Sequence, residues 1–203
     1  MRVLVASRNA DKIREIEEAL GEGSWEVVGA DDWEEDLPEI EETGDTFLEN
    51  ATLKACQVAR AAGAWTLADD SGLCVEALDG GPGPRSARYA GDGCTYVDNC
   101  VKLLGALEGL PPVQREAHFA CVIALADPTG RLRGAFEAQC AGSINGLPTG
   151  QGGFGYDPVF VPTDGDGRTF AEMDSHEKHA ISHRGRALAL FSREAHAILE
   201  SGS

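Results

Sequence analysis

Short apolar runs alternate with helix-periodic stretches through the first half of the chain, and that alternation limits the accessible folds more than any other feature. Arg2-Val3-Leu4-Val5-Ala6 has the brevity and branched composition of a buried strand. Lys12 to Leu20 carries Ile13, Ile16, Ala19 and Leu20 along one helical face, and Gly21 and Gly23 are placed to stop it. Trp25 to Gly29 predicts a second strand, and residues 31–45, crowded with carboxylates and interrupted by Pro38, predict a loop. From Thr46 to Ala62 the residues Phe47, Ala51, Ala55, Val58, Ala59 and Ala62 recur at helical spacing, with Asp45 or Thr46 as cap. Trp65 to Asp69 and Leu73 to Leu78 predict strands on either side of a polar turn, Asp69-Asp70-Ser71-Gly72. Gly80 to Pro84 predicts an irregular loop, and Thr95 to Leu107 a helix.

The second half changes character. Ala117 to Ala126 and Leu132 to Cys140 read as adjacent strands joined at Asp127-Pro128-Thr129-Gly130. Gly150 to Pro162 is glycine-rich and then apolar, and Ser175 to Leu199 is helical with a break near His183-Arg184-Gly185. Strands and helices in alternation, followed by a hairpin, predict an α/β protein with a mixed sheet, as one domain over residues 1–203.

The formal net charge of -17 argues against a nucleic-acid-binding surface, which needs clustered cations to displace counterions. Only Lys12, Lys54, Lys102 and Lys178 supply lysine among the 17 basic residues. Neither Val3–Ala6 nor Cys121–Ala126 is long enough for a signal sequence or a bilayer span, so no membrane partner is expected. Six cysteines without a CxxC pair point to reduced thiols in a cytoplasmic protein.

Five segments carry chemically useful groups. Ser7-Arg8-Asn9-Ala10-Asp11-Lys12 sits where a strand passes into a helix; the helix start and Lys12 suit phosphate oxygens, and a capped turn with a solvated lysine is the plain alternative. Glu49, Asn50 and Lys54 stand at the start of a helix next to the acidic loop, Asn50 and Lys54 on one face; a hard cation takes one or two carboxylates, and composition does not single out which acid would serve. Asp69-Asp70-Ser71-Gly72 reads either as a metal-and-water site at a strand end or as an Asx-type turn. Gly150 to Gly155 contains GxGxxG, but Pro158 and an apolar run follow instead of a helix, which excludes a dinucleotide fingerprint. Phe154 and Tyr156 suit stacking on a base, or packing into a core. His176-Glu177-Lys178-His179 lacks HExxH spacing and has no supporting Cys or His cluster, so zinc is not expected; His118 and His196 read as ordinary residues.

Taken together and in order, these segments resemble the inosine/xanthosine triphosphate pyrophosphatase family over nearly the whole chain. The carrying pieces are Ser7–Lys12, Glu41-Glu42-Thr43-Gly44 with Thr46–Ala51 and Lys54, Ala68–Leu73, Pro82-Gly83 with Ser86–Tyr89, Gly152–Pro158, and Ser182–Gly185. The resemblance implies an elongated mixed β-sheet flanked by helices in two lobes with a central cleft, and a homodimer. It implies Mg²⁺-dependent cleavage of ITP, dITP or XTP to the monophosphate and pyrophosphate. Ser7, Arg8, Asn9, Ala10, Asp11, Lys12 and Lys54 would grip the triphosphate, Glu42 and Asp70 would hold Mg²⁺, and Asp70 would activate water. Ser71 would touch the nucleotide, while Phe154, Gly155, Tyr156, Asp157, Lys178, His183 and Arg184 would enclose the base. This chain has Arg8 and Asp11 where the family favours glycine, so Arg8 fits only with its side chain turned outward. The competing expectations are a non-catalytic nucleotide sensor of the same fold and a pyrophosphatase for other modified nucleotides.

Overall fold

Local sequence sets the helix boundaries in the computed structural model, which describes residues 2–21 and 25–200 apart from the side chains of His196, Leu199 and Glu200. After strand β1 (Arg2–Val5), helix α1 (Ala10–Leu20) starts under Asn9, whose side chain accepts from the N–H groups of Asp11 and Lys12. Gly21 closes α1; Gly23, also expected to end it, lies outside the described residues. Strand β2 (Glu26–Gly29) follows, then the carboxylate-rich loop with a single 3-10 turn at Ala30–Asp32. Helix α2 (Phe47–Ala62) opens on a capping box between Thr46 and Glu49 and closes on Gly63 at φ 60°, a conformation that costs glycine little.

Strand β3 (Thr66–Val75) runs without interruption through Asp69-Asp70-Ser71-Gly72. The polar turn expected there does not form, and Glu76–Leu78, expected to extend a second strand, is a 3-10 turn. The acids stay in the strand because cations from elsewhere in the fold neutralise them, as described below. Helix α3 (Tyr96–Ala106) has a Thr95–Asp98 capping box. Strands β4 (Glu116–Ala126) and β5 (Leu132–Ile144) flank the expected tight connection, in which Gly130 N–H bonds to the carbonyl of Asp127. β5 continues beyond Cys140 because strand β6 (Phe160–Pro162) pairs with its end; a side chain at Gly142 would strike the Val161 carbonyl and the Phe160 ring. Helices α4 (Ser175–Ile181) and α5 (His183–Glu200) are divided at Ser182, whose ψ of 157° is extended, so the break precedes His183 and Gly185 is helical.

One six-stranded sheet in the order β2-β1-β3-β4-β5-β6 joins these strands. β1 pairs in parallel with β2 and β3, and β5 pairs antiparallel with β6, so the sheet is mixed. By its contacts the chain divides into two compact units, crossing between them within β3, β4 and β5 and again at the start of α5. The first holds residues through Asp70, Cys121–Ala138 and Arg184 onward, and the second holds Ser71–Ala120 and Gln139–His183.

Alternation along the strands gives the first unit two apolar layers. Val3, Val5, Leu67, Cys121, Ile123 and Leu125 face Ile16 and Leu20 of α1 and Leu188 and Phe191 of α5. Their neighbours Leu4, Ala68, Val122, Ala124 and Ala126 face Ala51, Ala55, Val58 and Ala59 of α2. Phe191 is fully buried, contributes roughly 1.5–3 kcal/mol by that burial, and meets Phe136 edge-on at 5.6 Å. In the second unit Leu73, Val75, Leu103, Leu107, Phe119, Phe160 and Phe170 form one core.

Candidate active site

Asp69 and Asp70 are consecutive on β3 and therefore belong to opposite layers of the first unit. Asp69 continues the row of Leu67 toward α1 and α5; Asp70 continues the row of Ala68 toward α2. Both are buried, at 1% and 3% exposure, where an unpartnered carboxylate would be very costly.

On the first face, Lys12 Nζ lies 2.5 Å from Asp69 Oδ1 and Arg184 Nε 3.0 Å from Oδ2. Arg184 Nη2 reaches Oδ1 at 3.4 Å, the Cys121 thiol donates to Oδ2 at 3.1 Å, and Arg184 also pairs with Glu15 of α1. Burial by itself would raise the Asp69 carboxyl, yet Arg184 and Lys12 together hold it well below the usual carboxylate range. Burial and the Asp69 charge push the Cys121 thiol far up, so it stays protonated and serves as a donor.

On the second face, Lys54 projects from α2 and donates to Glu42 Oε1 at 2.6 Å, to the Asp69 carbonyl at 2.7 Å and to Asp70 Oδ1 at 3.3 Å. Its ammonium resists the burial that would discharge it, because Asp70 and Glu42 raise its pKa. Burial raises the Asp70 carboxyl against the opposing pull of Lys54 and Lys12. Among the described residues Asp70 Oδ2 is buried without a hydrogen-bond partner. Glu42, the half-buried acid of the loop, reaches Lys54, whereas Glu39 and Glu41 are exposed.

The cluster thus sets four carboxylates (Glu15, Glu42, Asp69, Asp70) against three cations (Lys12, Lys54, Arg184). Among the described residues no group of three or more His, Cys, Asp or Glu side chains is arranged to hold a metal ion. A cation that takes only one or two protein carboxylates, with water and phosphate oxygens for the rest, suits Glu42 and Asp70, and the unsatisfied Oδ2 is an acceptor waiting for such a partner.

The expected phosphate loop is placed beside this cluster by α1. Lys12 points into it. Ser7 Oγ accepts from the Asn9 N–H at 3.2 Å, and Asn9 Oδ1 already engages two of the helix-start N–H groups, those of Asp11 and Lys12. Arg8 turns outward to Asp31 at 3.0 Å and the Leu37 carbonyl at 3.2 Å, as its position required, and Asp11 pairs with Arg14. Ala10 is the first residue of α1.

A second constellation lies within the second unit. Lys178 Nζ is 2.6 Å from Asp157 Oδ2 in a buried pair, and the same oxygen accepts the Phe154 N–H at 2.8 Å. Gly153 at φ 66° is required there, since a side chain would strike that carboxylate. The Lys178 ammonium stands 4.8 Å above the half-buried Phe154 ring. His183 stacks on Phe119 at 4.6 Å. Gly155 accepts from the Cys100 thiol, Tyr156 is buried with its hydroxyl on the Ser86 carbonyl at 2.9 Å, and Ser71 is half-buried on β3. Lys178, Asp157 and Phe154 therefore meet, while Tyr156 packs into the core and Arg184 belongs to the Asp69 cluster of the other unit.

Sequence reasoning gave no role to Asp69 by itself, to Glu15 or to Cys121. Asp69 and Glu15 gain their significance from pairing with Arg184, which is 115 positions from Asp69, and Cys121 from donating to Asp69; no local signal marks these contacts.

A family model described as the Ham1 family matches residues 3–194. Two relatives named dITP/XTP pyrophosphatase, from Streptomyces avermitilis and Geobacter sulfurreducens, are each 48% identical to this chain. The alignments cover 92% of this chain and 92% of the first relative, and 93% and 94% for the second. The solved structure of a HAM1 protein from Coxiella burnetii is similar at TM-score 0.86 and 40% identity, covering 97% of this chain and 99% of that one.

Proposed function

The chain belongs to the Ham1 family, and from that premise we propose that it hydrolyses non-canonical purine nucleoside triphosphates (ITP, dITP and XTP) to the monophosphate and pyrophosphate. It is a hydrolase of the nucleotide pool. The observation that carries the reading in the structure is the buried Asp70, with one oxygen on Lys54 and the other, among the described residues, without a hydrogen-bond partner, next to Glu42.

Glu42 and Asp70 would hold Mg²⁺, an oxygen-seeking ion that fits two carboxylates. When bound, the ion supplies Lewis-acid neutralisation of charge on the departing pyrophosphate. The net negative balance of the cluster supports this assignment, because a triphosphate of about four negative charges needs an added cation near such acids. Lys12 and Lys54 meet phosphate oxygens, and the remainder of the loop from Ser7 through Arg8, Asn9, Ala10 and Asp11 shapes the grip. Asn9 Oδ1 takes the N–H groups of Asp11 and Lys12 as helix cap, so the side-chain donors on this stretch, apart from the outward-turned Arg8, are the Ser7 hydroxyl, the Asn9 Nδ2 amide and the Lys12 ammonium. Asp70 orients a water and takes its proton as the water oxygen bonds to the α-phosphorus. The bond from that phosphorus to the bridging oxygen breaks, and pyrophosphate leaves with that oxygen.

Base choice is assigned to Phe154, Gly155, Asp157, Lys178 and His183, with Ser71 touching the nucleotide; Tyr156, packed into the core, and Arg184, paired with Asp69 and Glu15, are left out of it. The buried Lys178 donor beside the Phe154 ring supports that assignment. Hypoxanthine and xanthine carry an accepting carbonyl at position six; adenine carries a donating amino group, which offers a donor at that position no acceptor. The chain acts as one domain and as a cytoplasmic homodimer. None of the six cysteines forms a disulfide, and no helix among the described residues is long and apolar enough to cross a membrane.

The test is incubation with Mg²⁺ and ITP, XTP, dITP, GTP or ATP, with products read by phosphorus NMR. Pyrophosphate from the first three, with ATP and GTP turned over slowly, is expected. Stepwise orthophosphate release, or equal turnover of ATP and ITP at limiting concentration, refutes the reading.

A further inference from the structure

We infer that Asp69 is a positioning residue whose buried carboxylate fixes the ammonium of Lys12 where the triphosphate is gripped. The task given to Lys12 rests on the pyrophosphatase reading; the positioning itself rests on the geometry. The Asp69 side chain is wholly buried, so it acts through another group and not on substrate. Its carboxylate is held from three elements: by Lys12 of α1, by Arg184 of α5 through Nε and Nη2, and by the Cys121 thiol of β4. Those contacts use both oxygens and leave the group no rotational freedom.

A lysine side chain carries about 2 kcal/mol of rotamer entropy, which a substrate would have to remove if the ammonium were solvated. Here the 2.5 Å contact to a fixed oxygen removes it beforehand. Glu15 on the far side of Arg184 completes a set in which two acids balance two cations, so the arrangement is tolerated in the interior. The main chain of the same residue serves the second lysine, because the Asp69 carbonyl accepts from Lys54 Nζ at 2.7 Å. One residue of β3 therefore orients a lysine from each layer, and its neighbour Asp70 faces the reaction. Without the Asp69 charge, Lys12 and Arg184 would confront each other as like charges, and Lys12, at 18% side-chain exposure, has a way out to solvent.

The experiment compares wild type with Asp69→Asn by ITP kinetics and by NMR of protein labelled at lysine Cε. The chain has four lysines, and Lys12→Ala identifies the Lys12 signal by its disappearance. In folded Asp69→Asn the Lys12 signal should move to the shift and line width of a solvated lysine. kcat for ITP should fall by about 100-fold, and KM much less, because loss of orientation acts mainly on the transition state. An unmoved Lys12 signal, or an unchanged kcat beside an active wild type, overturns the inference. A kcat that falls only as far as the folded fraction, with the Lys12 signal in place, also overturns it by reducing Asp69 to a structural role. If Asp69→Asn does not fold, Asp69→Asn/Arg184→Gln removes the stranded guanidinium and the same two readouts apply. A wild type that releases no pyrophosphate from ITP defeats the pyrophosphatase reading, while the Lys12 signal still decides the positioning.

Discussion

Replacing Lys54 by methionine keeps most of the apolar stem and deletes a cation that Glu42 and Asp70 share. At an effective dielectric near 20, attraction across 2.6 Å and 3.3 Å is about 6 and about 5 kcal/mol. Most of this offsets the desolvation of the three charges. Removing one partner of a buried pair, however, typically costs about 3–5 kcal/mol because the other charge stays behind uncompensated. The Asp69 carbonyl loses a donor as well, which adds about 1–3 kcal/mol if water does not replace it. With water taking over at that carbonyl, Lys54→Met should lose about 3–5 kcal/mol in urea unfolding near neutral pH with an unchanged m-value. The double variant Glu42→Gln/Lys54→Met should recover part of that loss, because one stranded charge is gone. Mg²⁺ should stabilise Lys54→Met more than wild type, since the carboxylates no longer have a competing ammonium. A loss below about 1 kcal/mol, the level of an exposed pair, would show that Lys54 and its acids behave as solvated groups and would refute the buried-cluster argument.

Asp70→Asn should fold, by circular dichroism, and lose about 10²–10⁴-fold in kcat for ITP; chelation of divalent ions should stop wild-type pyrophosphate release, and Mg²⁺ should restore it. Glu177 in α4 has its carboxyl drawn from 4.5 to about 2 by hydrogen bonds from Arg168 and the Asp174 N–H, so its contribution to stability is present above pH 4.5 and lost as pH falls toward 2. The melting-temperature gap between wild type and Glu177→Gln should be constant above that window and close within it. Gly153→Ala, at φ 66° and against the Asp157 carboxylate, should lower stability in urea by about 1–3 kcal/mol.

Much of the fold was legible because it depends on near neighbours in sequence. The 3.6-residue recurrence of Phe47, Ala51, Ala55 and Val58 marked α2, and Thr46 was foreseen among its caps. The connection at Asp127–Gly130 was readable from its turn residues. Where the reading failed, a distant group had changed the local balance. Asp69-Asp70-Ser71-Gly72 has the composition of a turn, yet it stays in β3 because Lys12, Lys54 and Arg184 remove the charge that would have driven it to water. Cys140 appeared to end β5 until β6 supplied a partner for the residues after it.

The candidate site divides along the same line. Sequence alone determined which residue types were available and in what order: a lysine at a helix start, a second on α2 behind an acidic loop, and paired acids after an apolar strand. Only the tertiary structure decided that the two acids face opposite layers, that Arg184 lies behind Asp69 and not free beside a base, and that Asp70 keeps one oxygen without a hydrogen-bond partner. The physical reason is that backbone periodicity is written into a few adjacent residues, whereas neutralising a buried charge needs an opposite charge close in space from any point along the chain.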